Sequence, residues 1–134
     1  MNFIGVDLVH VPAFAEQLRR PGSTFETVFS AVELRVAAGK PDRNDHLAGR
    51  WAAKEAFIKA WSQAMFGRPP VITPEQVRWH EIEVHADRWG RVAVEPTGQV
   101  AAALRESVGQ PHLALSISHD GDYATATCLL TVVD

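Results

Sequence analysis

Charge sits where a helix ought to be burying itself in the run Trp51-Ala52-Ala53-Lys54-Glu55-Ala56-Phe57-Ile58-Lys59. Ala, Trp, Phe and Ile suit a core, whereas a carboxylate and two ammonium groups are seldom buried without a partner or a task. The run lies inside a longer pattern. Asp42 or Asn44 can cap a helix lasting through Met65, and Leu47, Trp51, Ile58, Trp61 and Met65 form its apolar stripe.

A second carboxylate stands in an apolar setting near the start, in Ile4-Gly5-Val6-Asp7-Leu8-Val9. Asn2 to Val11 reads as a strand, and its period of two puts Ile4, Val6 and Leu8 on one face and Gly5, Asp7 and Val9 on the other. Asp7 and Glu55 can share a cation: magnesium prefers oxygen and commonly takes one or two protein carboxylates, with water and substrate phosphate completing its octahedron. Taken singly, each has a plainer explanation. Asp7 can face solvent from an edge strand, and Glu55 can pair with Lys59 in the favoured i,i+4 order.

The 134 residues fit one domain spanning 1–134, with a hydrophobic fraction of 46%, enough for a core of that size. A net charge of −3 gives no global case for nucleic-acid binding, so any basic site must be local. No apolar run approaches the roughly 20 residues that span a bilayer, and the start lacks the pattern of a signal peptide. These features predict a cytoplasmic protein with no membrane partner. Cys128 is the single cysteine, in the apolar run Ala124 to Val133, and is expected to be a buried structural thiol.

Along the chain, Pro12 to Arg20 predicts a short helix ended by Pro21-Gly22. Ser30 with Glu33 makes a capping-box pattern for a helix to about Ala38. Gly67 to Pro74 breaks the chain, and Thr73-Pro74 can start a single turn. Trp79 to Ala86 and Arg91 to Glu95 predict two strands. Thr97 is expected to cap a helix over Gln99 to Val108, and His112 to Ser118 and Tyr123 to Val132 a final hairpin about Asp120-Gly121. The order predicts an α+β fold, an antiparallel sheet with segregated helices.

Arg50 and Lys54 are like charges at i,i+4, a repulsion worth a few tenths of a kcal/mol that a shared anion would relieve; a solvated basic face is the plainer alternative. Glu33 is accounted for by capping, although a place near a site stays open. Ser116, Ser118, His119 and Asp120 invite a hydrolase triad, but neighbours on one strand point to opposite faces. Arg19 and Arg20 end the first helix, where the macrodipole favours cations by about 0.3–1 kcal/mol. His46 and His112 lack a supporting pattern, and His10, His80 and His85 read as surface residues.

Five blocks together resemble the holo-acyl-carrier-protein synthases, small phosphopantetheinyl transferases. They are Ile4-Gly5-Val6-Asp7, Phe29-Ser30-Ala31-Val32-Glu33-Leu34, His46 through Lys59, Trp89-Gly90-Arg91 and Leu115 through Asp120. They stand in family order and span nearly the whole chain.

The resemblance implies transfer of the 4′-phosphopantetheine arm from coenzyme A to a serine of an acyl carrier protein or carrier domain, releasing adenosine 3′,5′-bisphosphate. It implies magnesium on Asp7 and Glu55, with Glu55 and Lys59 catalytic, and Arg50, Lys54, Lys59 and His119 contacting the coenzyme. It also implies carrier docking on Arg19 and Arg20, and a homotrimer with sites between subunits. The proton acceptor stays open among Glu55, Glu33 and a metal-linked water. Asp120 and Asp122 are departures close to His119. A noncatalytic module that binds magnesium and a nucleotide is the alternative from another class.

Overall fold

The computed structural model describes residues 1–133. Strand β1 (Asn2–His10) pairs antiparallel with β5 (Tyr123–Thr131), from Asn2 opposite Thr131 to His10 opposite Tyr123. Strand β4 (His112–Asp120) flanks β5 on its other side, giving the order β1-β5-β4. The hairpin runs two residues further than the apolar pattern predicted, so that Gly121 and Asp122 form the loop, with Gly121 at φ +55°.

Helix α3 (Arg43–Ala64) lies across one face of this sheet, its first turn capped by the Asp42 carboxylate on the Asp45 N–H at 3.0 Å. The approach is close because the facing residues are small. Ala52, Ala53, Ala56 and Ala60 are all buried, and a Cβ on Gly5 would collide with the Ala56 carbonyl and the Ala60 nitrogen. Gly5, Asp7 and Val9 are therefore the inward face of β1, met by Ala124, Ala126 and Cys128 of β5. The more apolar stripe faces outward: Ile4, Val6 and Leu8 are 55%, 58% and 65% exposed. Depth on this sheet follows the fit to α3, not hydrophobicity.

Helix α1 (Val11–Arg19) begins with Pro12 in its first turn and buries Phe14, which meets Phe25 and Phe29 edge-on. Helix α2 (Ala31–Ala38) starts with both halves of the Ser30–Glu33 capping box formed. Strands β2 (Ile82–Ala86) and β3 (Val92–Pro96) make a separate antiparallel pair, and α4 (Gly98–Val108) follows.

Two local expectations change. Trp79 to Glu81 is a 3-10 turn, so β2 starts only at Ile82. The Lys54 ammonium explains the curl, because it donates hydrogen bonds to the carbonyls of both Trp79 and Ile82. Thr97 does not cap α4 with its side chain; the Glu81 carboxylate accepts from the Val100 N–H at 3.1 Å instead. Gly98 makes room for that carboxylate at φ +56°, where a side chain would strike it.

Candidate active site

Asp7 and Glu55 reach each other across the β1–α3 contact. Asp7 is buried on its strand, and its Oδ1 accepts from Lys59 Nζ at 3.0 Å. Its Oδ2 is buried with no hydrogen-bond partner among the described residues. Glu55, half-buried one turn before Lys59, has its pKa raised to about 7, first by burial and then by the neighbouring Asp7 carboxylate, while Lys59 opposes. Both carboxyls cannot comfortably carry charge here unless a cation joins them. An orphaned buried oxygen beside a proton-holding carboxyl, both hard donors, fits a magnesium ion.

The second part of the site lies nearer the start of α3. Arg50 is half-buried, and its guanidinium pKa is lowered by burial with Glu33 opposing. His46, four residues earlier, is held to about 4, first by burial and then by the nearby charges of Arg50, Lys40 and His119. It therefore stays neutral near pH 7. His119, at the end of β4, places Nδ1 3.1 Å from Asp45 Oδ1 on the first turn of α3. Its ring lies over Gly49, where a Cβ would stand 2.8 Å from both Cε1 and Nε2.

Lys54 is elsewhere. Expected beside Arg50 at an anion, it is fully buried, with its ammonium 2.8 Å from Glu33 Oε1 and both carbonyl bonds already described. Burial lowers its pKa while Glu33 opposes. An ammonium has three N–H groups, and here all three have protein partners. The shared-anion reading fails because helical periodicity alone does not reveal that this stripe turns under the Trp79 to Ile82 loop. Glu33 is locked in the same network: Oε1 also accepts from the Ser30 N–H and Oε2 from the Val84 N–H, each at 2.8 Å. That occupancy removes Glu33 as a proton acceptor.

Arg19 and Arg20 are exposed at the end of α1. Cys128 is fully buried, its thiol pushed up to about 11 by burial, as suits a structural role. Asp45 escaped sequence reasoning because its partner His119 is 74 positions away. Gly49 carried a signal, since an interior helical glycine costs about 1 kcal/mol and often marks a close approach.

The chain matches the family described as the 4′-phosphopantetheinyl transferase superfamily over residues 3–128. A holo-[acyl-carrier-protein] synthase of Corynebacterium glutamicum (strain R) is 62% identical over 134 residues, covering 98% of this chain and 99% of that protein. One from Mycobacterium sp. (strain KMS) is 45% identical over 128 residues, covering 95% and 94%. Among solved structures, the Chronobacterium ammoniagenes ACPS-CoA complex is similar at a TM-score of 0.96 and 66% identity, covering 100% of this chain and 99% of that one. With matching blocks along its whole length and the same fold, the chain is an enzyme that belongs to the 4′-phosphopantetheinyl transferase superfamily, among its holo-acyl-carrier-protein synthases.

Proposed function

We propose that this enzyme transfers the 4′-phosphopantetheine arm of coenzyme A to a serine hydroxyl of an acyl carrier protein or carrier domain and releases adenosine 3′,5′-bisphosphate. The observation that carries the site is the partnerless, buried Asp7 Oδ2 beside Glu55, flanked by the half-exposed Lys59 ammonium. A bond forms between the serine oxygen and the phosphorus carrying the pantetheine arm, and the bond from that phosphorus to the bridging oxygen breaks. The serine proton leaves with a base.

Magnesium held by Asp7 and Glu55 would supply Lewis-acid polarisation of the pyrophosphate. Lys59, fixed by Asp7 on one side, offers its remaining N–H groups to phosphate oxygens and offsets charge that develops during transfer. Arg50, without a hydrogen bond to the described residues, is free to bind an anion, and His119 contacts a nucleotide phosphate. Glu55, once a cation has displaced its proton, is the better placed of the two glutamates to accept one, Glu33 being committed in the core.

The outward Ile4, Val6 and Leu8 stripe supports self-association, because an exposed apolar strip on an otherwise packed sheet gains from burial against another copy, and the family resemblance makes that assembly a homotrimer. The active sites then lie between subunits. Arg19 and Arg20 suit an acidic carrier, and the reading places the protein in the cytoplasm. Among the described residues no helix is long and apolar enough to cross a membrane.

The direct test mixes the enzyme with coenzyme A, magnesium and an apo carrier and then weighs the carrier. A mass gain of one phosphopantetheine is expected, dependent on magnesium. An unchanged carrier would leave only the noncatalytic nucleotide-binding alternative.

A further inference from the structure

Asp45 and His119, 74 positions apart in the chain, meet over a glycine. The pair spans 3.1 Å between Asp45 Oδ1 and His119 Nδ1, and both side chains are about one-third exposed, at 35% and 34%. Nε2 makes no hydrogen bond to the described residues. A carboxylate on one ring nitrogen fixes the tautomer and plane of an imidazole and so presents the other nitrogen. The ring rests where Gly49 lacks a side chain, with Ile117 beside it, and the neighbouring neutral His46 feels the charges of Arg50, Lys40 and His119 together. Asp45 is occupied with the ring, and Asp120 follows His119 on the strand.

Gly49 and Glu55 are six positions apart on α3, about 9 Å along the axis. A phosphate at His119 is therefore a different one from the pyrophosphate expected beside Asp7 and Glu55. Coenzyme A carries one other, the phosphate monoester on its ribose, and a dianion of that kind favours a cluster of cationic donors.

We propose that Asp45 is a positioning residue: it holds His119 against the Gly49 shelf so that Nε2 meets the ribose 3′-phosphate of coenzyme A. The proposal rests on the reading of His119 as a phosphate contact. Selectivity for coenzyme A over 3′-dephospho-coenzyme A then depends on a carboxylate that touches neither.

The experiment compares KM and kcat for coenzyme A and for 3′-dephospho-coenzyme A, with one apo carrier, in the wild type, Asp45→Asn, Asp45→Glu, Gly49→Ala and His119→Ala, with a melting curve for each. His119→Ala should abolish the preference for coenzyme A. Asp45→Asn should raise the KM for coenzyme A about tenfold, the low end for a carboxylate that orients a histidine. Its KM for the dephospho form and its kcat should stay near wild type. Asp45→Glu should restore part of the preference, and Gly49→Ala should lose it although its carboxylate is intact. A preference that survives Asp45→Asn but not His119→Ala overturns positioning alone. Equal losses for both coenzymes, or a lowered melting temperature with unchanged preference, overturn it as well. A preference that survives His119→Ala overturns the phosphate contact beneath it, while the carrier mass separately judges the transfer reading.

Discussion

Lys54 Nζ lies 2.8 Å from Glu33 Oε1 in the core, while Lys59, a little over one turn further along α3, meets Asp7 Oδ1 at 3.0 Å with more than half its side chain exposed. Two ammonium groups of one helix thus have different tasks. The first ties α3 to α2 and to the backbone leading into β2; the second stands at the proposed reaction centre.

Replacing Lys54 by Ala leaves the Glu33 charge and two carbonyls buried without their partner, which should cost ~3–5 kcal/mol of stability. Lys59→Ala should lower the denaturant midpoint less, because this lysine is more than half exposed, although the change takes from the buried Asp7 carboxylate its hydrogen-bond partner. It should lower kcat more than it raises the KM for coenzyme A. Urea unfolding beside steady-state kinetics separates the two lysines. A Lys54→Ala protein as stable as wild type would contradict the buried network.

Glu55, raised to about 7 from an ordinary 4.5, gives the metal-free protein a definite pH response. The folded protein holds a proton there that the unfolded chain releases, so this stability is fully present below about 4.5 and is lost as pH rises through about 7. Magnesium held by Asp7 and Glu55 would compete with that proton. Its apparent affinity should rise with pH up to about 7 and level off above, with proton release on binding at the lower pH. Asp7→Asn removes the neighbouring charge. It should raise the melting temperature of the metal-free protein while weakening magnesium binding and abolishing most transfer. Calorimetric titration in two buffers of different ionisation enthalpy reads the released proton.

Ile4, Val6 and Leu8 are the outward residues of β1, and changing Val6 to Lys should split the assembly without disturbing the inward face that packs on α3. Sedimentation at micromolar protein should show a trimer for the wild type and smaller species for the variant, with transfer lost in parallel. A fully active wild-type monomer would refute sites shared between subunits.

Arg19→Glu together with Arg20→Glu should raise the KM for the carrier and leave that for coenzyme A nearly unchanged. Both side chains are exposed on α1, away from the β1–α3 contact, and charge on an exposed docking surface chiefly governs encounter and register. Salt should weaken the wild-type preference as well, since exposed charges are screened over about 8 Å at physiological ionic strength. Equal effects on both substrates would remove α1 as the docking surface.

Local patterns in the sequence were enough for the long helix, the Ser30–Glu33 box, the first strand and the closing hairpin, because each depends on residues within a few positions of one another, and they narrowed the helix cap to Asp42 or Asn44. The same patterns singled out Asp7, Glu55 and Lys59, since charge inside an apolar period stands out without a partner in view. The partners themselves were decided in three dimensions. Lys54 and Arg50 share a periodic stripe, yet one is sealed under the Trp79 to Ile82 backbone and the other makes no hydrogen bond to the described residues, a difference made by a loop 25 or more residues away. Ile4, Val6 and Leu8 are more apolar than Gly5 and Asp7 but face outward, because only a side chain as small as glycine lets β1 meet the alanines of α3. Periodicity says which residues share a face; the packing of distant segments determines which face is buried and which charge finds a partner.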